Sequence, residues 1–232
     1  MNNTFEFVAL LPIKAHSERV SGKNFRDFAG KPLFQWILDS LLSVDRIDQV
    51  VINTDAREML LEHGLVESSR VLLRDRKPEI CGDFVSMNRV LADDIENIRA
   101  RTYLMTHATN PLLSAATINA ALDAYEQGVA AGTADSLFTV NPFQARFYRA
   151  DGSAINHDPN NLIRTQDLEP WYEENSNLYL FSQPSFAKTN ARIGAKPMLF
   201  ETPKLESFDI DDSEGWDLAE TVAKGQWRSE NS

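Results

Sequence analysis

The sequence predicts an α/β fold in which a mostly parallel sheet is flanked by helices. The main observation is an alternation along the chain, in which short apolar runs with strand character are followed by longer segments of helical period. The second is size and composition: 232 residues that are 43% hydrophobic supply one full core. The third is the absence of internal repeats and low-complexity runs. The length allows one or two domains, and we expect one over residues 1–232.

The first half of the chain alternates strand and helix. The apolar run 7–11 ends at Pro12 and predicts a buried first strand. Lys31 and Pro32 open a helix with Leu33, Trp36, Ile37 and Leu41 on one face. The pattern then predicts a strand at 49–53, a helix at 56–63 that Gly64 ends, a strand at 70–73 and a helix at 83–98.

The second half continues this alternation and then interrupts it. We expect a strand at 102–106, a helix at 114–126 capped by Ser114, and a strand at 136–141. From Pro142 a short hairpin, with residues 146–149 before a turn at Asp151–Gly152, and polar loops predict a segment that projects from the sheet. Strands at 178–181 and 197–200 and a helix at 215–224 complete the fold.

Charge and composition exclude several classes of protein. The chain has 23 Lys and Arg against 34 Asp and Glu, and a net charge of -11 disfavours a nucleic-acid partner. The single cysteine, Cys81, excludes an internal disulfide and a cysteine metal cluster, and the four histidines have no zinc-ligand spacing. Residues 1–6 lack signal-peptide character, and no run approaches the roughly 20 apolar residues of a membrane span. We therefore expect a cytoplasmic protein without a membrane segment.

The loop after the first strand is basic in an otherwise acidic chain. It contains Lys14, Arg19 and Lys23, together with Ser17 and Gly22. Cationic side chains and backbone amides in such a loop suit the charge and oxygens of a triphosphate, so we expect an anion site here. The loop lacks the Gly-Lys-Ser or Gly-Lys-Thr ending of a Walker loop. The alternative is a solvated basic loop.

A second group of charged residues lies near the end of the chain, at 207–212. Alternation places Asp209 and Asp211 on one face of an extended segment, with Phe208 and Ile210 on the other. Two neighbouring carboxylates and substrate phosphates can share Mg²⁺, which favours a magnesium site. The alternative is capping of the following helix, which suits Asp212 better than Asp209. A basic first loop with a late acidic pair indicates nucleotidyl transfer.

Several motifs also occur in the order of a known family. They are 12–17 (PIKAHS), 22–24 (GKN), 30–33 (GKPL), 53–55 (NTD), Arg74 with 78–80 (PEI) and Asp83, 109–112 (TNPL), 174–179 (ENSNLY) and 208–211 (FDID). Together they resemble the acylneuraminate cytidylyltransferases. The resemblance implies a Rossmann-like nucleotidyltransferase fold, CTP and Mg²⁺ as substrate and cofactor, in-line attack of an acceptor on the α-phosphorus, and release of pyrophosphate. It also implies a homodimer formed through a projecting segment, for which residues 142–175 are the candidate.

The resemblance assigns roles to individual residues. The catalytic candidates are Lys14, Lys23, Asp209 and Asp211, and the two aspartates are also the metal ligands. The nucleotide-binding candidates are Lys14, Ser17, Arg19, Lys23, Asn24, Asp55, Arg74 and Asp83. The acceptor-binding candidates are His107, Asn110, Arg146, Arg164 and Gln166. Asp209 is also a candidate for accepting the hydroxyl proton, with activation of the hydroxyl by the metal as the alternative.

Departures from the family pattern leave the acceptor open. Glu18, Arg19 and Ser21 depart from the family's first loop, and the pattern Ser17-x-Arg19-Val20-x-Gly22-Lys23 is similar to the loop of enzymes that activate 3-deoxy-manno-octulosonic acid. Asn24 and the late acidic pair favour the acylneuraminate side. His107 and Leu113 replace a glutamine and an arginine near the expected acceptor pocket. Arg146 and Arg164 suit an acceptor that carries a carboxylate or a phosphonate. The first expectation for the acceptor is a nonulosonic, sialic-acid-like sugar acid, and the second is a small phosphonate. Two other functions stay open: a non-catalytic relative that only binds a nucleotide or sugar, and transfer of a uridylyl or guanylyl group.

Overall fold

The computed structural model describes residues 4–17, 20 and 22–230, and for residues 226–230 it describes the backbone alone. Over these residues a seven-stranded sheet has the order β5-β4-β1-β6-β8-β7-β9. Its strands are β1 (Phe5–Leu10), β4 (Gln49–Thr54), β5 (Val71–Asp75), β6 (Ala100–Met105), β7 (Ser136–Phe143), β8 (Trp171–Phe181) and β9 (Pro197–Glu201). Pairing is parallel except where β8 lies antiparallel to β6 and β7. The expected mostly parallel sheet is confirmed.

Helices cover both faces of the sheet, and strand alternation decides which face each side chain joins. Phe7, Ala9 and Leu11 pack on one face with helices α1 (Leu33–Leu42), α2 (Arg57–Glu62) and α4 (Ala115–Ala130). Val8 and Leu10 pack on the other with α3 (Met87–Asn97) and α5 (Gln183–Thr189). The final helix α6 (Ser213–Glu230) packs Trp216 edge-on against Phe28 of the small hairpin β2 (Asp27–Phe28) and β3 (Lys31–Pro32).

The connections place one loop cluster at the carboxyl edge of the parallel strands. From β1 the chain proceeds to β4 and β5 on one side, and then returns to β6 on the other side. Ligands of open α/β sheets bind outside the carboxyl ends of the strands where the order reverses in this way. The residues that follow β1 and β6, which begin at Leu11 and Thr106, therefore face the same region.

Most predicted elements are present, and their boundaries differ for local reasons. The helix expected from residue 83 begins at Met87, because Ser86 caps it by accepting from the backbone N–H of Asn88. The expected Ser114 cap of α4 is confirmed, with the hydroxyl accepting from the N–H of Thr117. Pro32 is the N-cap of α1 rather than its first helical residue. Helix α5, which the sequence pattern did not predict, is a single short helix with a Ser182–Ser185 capping box.

The interruption expected at Pro142 lies between two paired strands. β7 continues to Phe143, and its end pairs with the first residues of β8, so that β8 starts at Trp171 rather than near Leu178. Between them the predicted hairpin is present: Tyr148 bridges Ala154, and Arg149 N–H donates to the carbonyl of Ser153 around Asp151–Gly152. Most side chains of residues 148–167 are exposed. None of the helices in the described ranges has the length and apolarity that crossing a membrane requires.

Candidate functional site

A cleft of about 300 Å³ opens at the carboxyl edge of the sheet, between the loops that follow β1 and β6. The loop after β1 contributes Pro12 and Lys14, and the loop after β6 contributes His107, Ala108 and Thr109. The remaining lining residues come from the first loop, from the position after β5, from α3, from β8 and from the segment before α6: Ser17, Lys23, Asn24, Arg76, Met87, Ser176, Asp209 and Asp211. The location is the one that the strand order favours for a ligand.

The predicted basic loop forms one wall of this cleft. The Nζ of Lys23 is nearly buried and donates to the carbonyl of Ile210 at 2.6 Å. The side-chain amide of Asn24 donates to the carbonyl of Lys14 at 2.9 Å, which fixes the two ends of the loop relative to each other. Lys14 forms an ion pair of 2.6 Å with Asp83. The structure thus brings Lys14, Lys23, Asn24 and Asp83 together, and Ser17 lines the same cleft.

The predicted acidic pair forms a second wall of the cleft, next to Lys23. Asp209 and Asp211 are exposed to the cleft on either side of Ile210, which is fully buried and whose N–H donates to the carbonyl of Thr109 at 3.0 Å. The expected alternation is therefore present, although the segment is irregular rather than a strand. Across the described part of the chain, no group of three or more His, Cys, Asp or Glu could hold a metal ion. Two carboxylates beside a cationic wall do fit Mg²⁺, because that ion is commonly held by one or two carboxylates, substrate phosphates and water.

The structure does not bring Arg74 to this cleft. Its guanidinium pairs with Asp93 at 3.0 Å and also with Asp94, both on α3, so its positive charge is compensated within the protein. Arg76, two residues further on, lines the cleft instead. Its Nε donates to the side-chain oxygen of Asn53 at 2.9 Å, and its Nη2 donates to the Asn53 carbonyl at 2.8 Å. Arg76 is a residue that the sequence analysis missed, although it follows the last residue of a strand, where ligand contacts are expected.

His107, one of the residues expected to bind the acceptor, lines the cleft together with Ser176. Burial, together with the cations Arg192 and Lys23, lowers the pKa of His107 to about 3, so its imidazole is neutral at physiological pH. Ser176 has a φ of 58°, in the left-handed region that few non-glycine residues adopt. Its hydroxyl accepts from the Tyr179 hydroxyl at 3.3 Å. Such strained backbone is concentrated at functional sites.

Two other predicted residues support the site from outside its lining. The carboxylate of Asp55 accepts from the backbone N–H of Ala15 at 2.7 Å and so holds the first loop against the end of β4. Asn110 is fully buried, and its amide donates to the Asn177 side chain at 2.7 Å. Asp55 therefore holds a backbone position, and Asn110 holds another side chain.

The remaining candidates do not meet at the cleft. Arg146 donates to the carbonyl of Ile163, and Arg164 forms an exposed ion pair of 2.7 Å with Asp167. Gln166 is exposed, and its carbonyl accepts from the side chain of Gln144. All three lie in the segment between β7 and β8 and outside the cleft lining. Arg19, like Glu18 and Ser21, lies outside the described residues.

The arrangement can bind a polyanion beside a divalent cation. Lys14, Lys23 and Arg76 supply positive charge, and Asp209 with Asp211 supplies oxygen ligands, around one cleft at the switch point of a parallel sheet. Such a site suits phosphoryl chemistry, where positioning and charge neutralisation provide most of the catalysis. Fold and site together define the class as an α/β nucleotidyltransferase.

Comparison with known proteins identifies the family. The family model described as cytidylyltransferase matches residues 8–228, so the chain belongs to the cytidylyltransferase family. The match includes both walls of the cleft, from Lys14 to Asp211.

Individual relatives are similar over most of their length. A pseudaminic acid cytidylyltransferase of Campylobacter jejuni is 22% identical over 227 residues, which covers 94% of this chain and 96% of the relative. A CMP-N,N'-diacetyllegionaminic acid synthase of Legionella pneumophila is 23% identical over 228 residues, covering 93% and 95%. Among solved structures, a CMP:2-keto-3-deoxy-manno-octonic acid synthetase complexed with CTP has a TM-score of 0.65 at 14% identity and covers 95% of this chain and 99% of its own. This last similarity shows the fold.

Proposed function

We propose that this cytidylyltransferase moves CMP from CTP to a nonulosonic sugar acid and releases pyrophosphate. The observation that carries the proposal is the meeting of Lys14 and Lys23 with Asp209 and Asp211 in one cleft, although the two pairs lie nearly 190 residues apart in the sequence. The relatives named for pseudaminic and legionaminic acids support the class of acceptor.

The cationic wall binds the triphosphate in this proposal. Lys14 and Lys23 neutralise the phosphates and the charge that grows on the leaving pyrophosphate, and Arg76 takes the nucleotide contact first expected of Arg74. Ser17 and Asn24 lie on the same wall. The Ser17 hydroxyl can orient a phosphate oxygen, and the Asn24 amide holds the backbone at Lys14 in place for the same purpose. Arg19, Asp55 and Asp83 remain proposed nucleotide-site residues, the last two through their contacts with Ala15 and Lys14.

The acidic wall positions the reacting groups. Asp209 and Asp211 would hold Mg²⁺, which supplies charge neutralisation to the triphosphate when bound. The acceptor hydroxyl attacks the α-phosphorus, the new oxygen–phosphorus bond forms, and the bond to the β-phosphate oxygen breaks. Asp209 is the candidate for accepting the hydroxyl proton, because its carboxylate faces the cleft. The neutral imidazole of His107 can donate a hydrogen bond to the sugar acid or accept one from it, without adding charge.

Acceptor binding in this proposal also involves the segment between β7 and β8. Arg146, Arg164 and Gln166 lie outside the cleft of their own chain, so they would meet an acceptor only at a partner's cleft. A homodimer formed through residues 142–175 would bring such side chains to that position. Exposed apolar residues in this region, including Leu162 at 62% and Tyr148 at 53%, support an interface there.

Pyrophosphate release tests the proposal directly. Purified protein with CTP and Mg²⁺ is assayed against pseudaminate, legionaminate, N-acetylneuraminate, 3-deoxy-manno-octulosonate and 2-aminoethylphosphonate. We expect turnover on one nonulosonic acid and little on the phosphonate. ATP, GTP and UTP serve as controls for the base, and we expect CTP alone to support the reaction.

Other results would select among the alternatives. Turnover on the phosphonate alone would keep cytidylyl transfer and overturn the sugar acceptor. Turnover with UTP or GTP in place of CTP would overturn the choice of nucleotide. CTP binding without turnover on any of these acids would contradict the proposed acceptor class, and loss of both would favour a non-catalytic relative.

A further inference from the structure

We propose that Asn53 and Asp94 are positioning residues that hold Arg76 in the orientation required for binding the nucleotide. Neither residue lines the cleft, and both are fully buried. They would therefore act through Arg76 rather than by touching the substrate. The inference rests on the proposed function, because it assumes that a nucleotide occupies the cleft that Arg76 lines.

Arg76 is held along the Nε and Nη2 edge of its guanidinium. Its Nε donates to the Asn53 side-chain oxygen at 2.9 Å, and its Nη2 donates to the carbonyls of Asn53 at 2.8 Å and Ile13 at 3.4 Å. Among the described residues, Nη1 has no hydrogen-bond partner. Ile13 directly precedes Lys14, so the guanidinium also joins the start of the basic loop to the end of β4. The contacts fix the plane of the guanidinium and leave donor capacity for a ligand.

Asn53 connects the guanidinium of Arg76 to Asp94 on α3. Its Nδ2 donates to the Asp94 carboxylate at 2.8 Å, while its Oδ1 accepts from Arg76. An ionised carboxylate can only accept hydrogen bonds, so it requires the NH₂ side of the Asn53 amide to face it. The amide oxygen must then face Arg76. Without Asp94, the amide could rotate and present donors to a guanidinium that has only donors.

The surroundings of Asp94 keep its carboxylate in this role. Burial raises the pKa of Asp94 to about 6, against the opposing effects of the Asn53 hydrogen bond and of Arg74. Above that pH the group is ionised and its charge is compensated by Arg74 on β5. Asp93 on the same helix shares Arg74 and also pairs with Lys77. This ion-pair cluster accounts for the position of Arg74, which the sequence analysis placed in the nucleotide site.

A double-mutant cycle on CTP affinity tests the inference. The Kd of CTP with Mg²⁺ is measured by calorimetry for the wild type, Asn53→Ala, Arg76→Ala and the double variant. We expect Asn53→Ala to weaken binding about tenfold, the scale of a lost hydrogen bond to a charged group. We expect the double variant to bind no more weakly than Arg76→Ala, because Asn53 acts only through that side chain. Additive effects would overturn the inference.

Two further variants separate positioning from general destabilisation. Thr139→Val removes buried hydrogen bonds to Leu178 at a distance from Arg76 in the fold, and we expect its CTP affinity to match the wild type. Asp94→Ala removes the oxygen that accepts from the Asn53 amide and is the second variant if Asn53→Ala does not fold. We expect it to weaken CTP binding several-fold, but not in the Arg76→Ala background. Weakening by Thr139→Val as large as that by Asn53→Ala would overturn the inference.

The same measurements distinguish this inference from the proposed function. A wild-type protein that does not bind CTP would overturn the proposed function and the inference with it. If Arg76→Ala binds CTP as well as the wild type does, the assumed role of Arg76 is wrong and the inference fails. If Arg76→Ala weakens binding and Asn53→Ala does not, the proposed function stands and the positioning role alone is wrong.

Discussion

At the scale of single residues, the two walls of the cleft fix one another. Lys23 donates to the carbonyl of Ile210, the residue between Asp209 and Asp211, so a cation of the first loop holds the backbone that carries both acids. A hydrogen bond from a charged donor in a nearly buried position is among the stronger ones in proteins. The same lysine thus places the acidic pair and contributes to the positive charge of the cleft.

Removing one acid tests the catalytic assignment of the pair. We expect Asp211→Asn to lower kcat by about a hundredfold or more, because lost electrostatic stabilisation at a reacting centre has effects of that size. Asp212→Asn is the matched control, because Asp212 is the neighbouring acid and lies outside the cleft lining. Its Oδ1 accepts from the backbone N–H of Gly215 at 2.8 Å, in the first turn of α6. Steady-state assays across Mg²⁺ concentrations measure both. Equal losses in the two variants would contradict the assignment of Asp211.

His107 makes the stability of the protein depend on pH. Its pKa falls from an ordinary 6.5 to about 3 in the folded protein, so between these values the unfolded chain binds the extra proton. Stability is therefore lost as pH falls, by about 2 kcal/mol from pH 7 to pH 5. We expect His107→Gln to remove this loss. Asp94 has the opposite effect below about pH 6, but it is present in both proteins and cancels in the difference.

Denaturant unfolding of the wild type and His107→Gln at pH 7 and pH 5 measures this difference. If both proteins lose the same free energy of unfolding between the two pH values, His107 titrates normally in the folded protein, and its assignment as a neutral cleft residue is wrong.

At the scale of elements, an irregular segment is positioned by its neighbours. The Glu206 carboxylate accepts from the N–H and hydroxyl of Ser114 at the start of α4, at 2.9 and 3.1 Å. The Glu206 carbonyl accepts from the buried amide of Asn177 at 2.7 Å. The segment leading to Asp209 is thus joined to a helix N-terminus, where a negative charge is favourable, and to β8.

Breaking this anchor tests its importance. We expect Glu206→Ala to lower stability by about 1 kcal/mol, as for a lost helix cap, and to reduce kcat several-fold because Asp209 and Asp211 lose their support. Ser207→Ala, which removes a surface hydrogen bond to the Lys204 carbonyl, is the control and should change neither. Thermal unfolding and steady-state kinetics give the two results. Unchanged kcat in a destabilised Glu206→Ala would show that the acidic pair is positioned without this anchor.

At the scale of the whole molecule, the segment between β7 and β8 lies outside the core. It presents Leu162 at 62% and Ile163 at 44% exposure, and Tyr148 in the same segment is 53% exposed. Apolar side chains grouped on a surface are typical of an interaction site, whereas isolated ones are common. This contrast supports the proposed homodimer.

Charge substitution tests that interface. We expect Leu162→Asp to convert a dimer to a monomer and to raise the KM of the acceptor, because Arg146 and Arg164 would then no longer reach a partner's cleft. Leu61→Asp, on α2 and 47% exposed, is the matched control and should remain dimeric. Light scattering measures the mass of each. A monomeric wild type, or a dimer unaffected by Leu162→Asp, would contradict the interface.

Most strands and helices around the sheet, the basic loop and the acidic pair could be predicted from the sequence alone, whereas α5 and the hairpin of β2 and β3 could not. The apolar run of β1 and the Ser114 cap of α4 each depend on residues a few positions apart, so both could be predicted from the local sequence. The positions of Arg74 and Arg76 follow only from the tertiary structure, because Arg74 lies within β5 and pairs with α3, whereas Arg76 lies just beyond the end of β5 and lines the cleft. It also decided the length of β8, whose polar first half is stabilised by pairing with β7 rather than by its own pattern. Long-range pairing and burial, which local sequence does not encode, account for both differences.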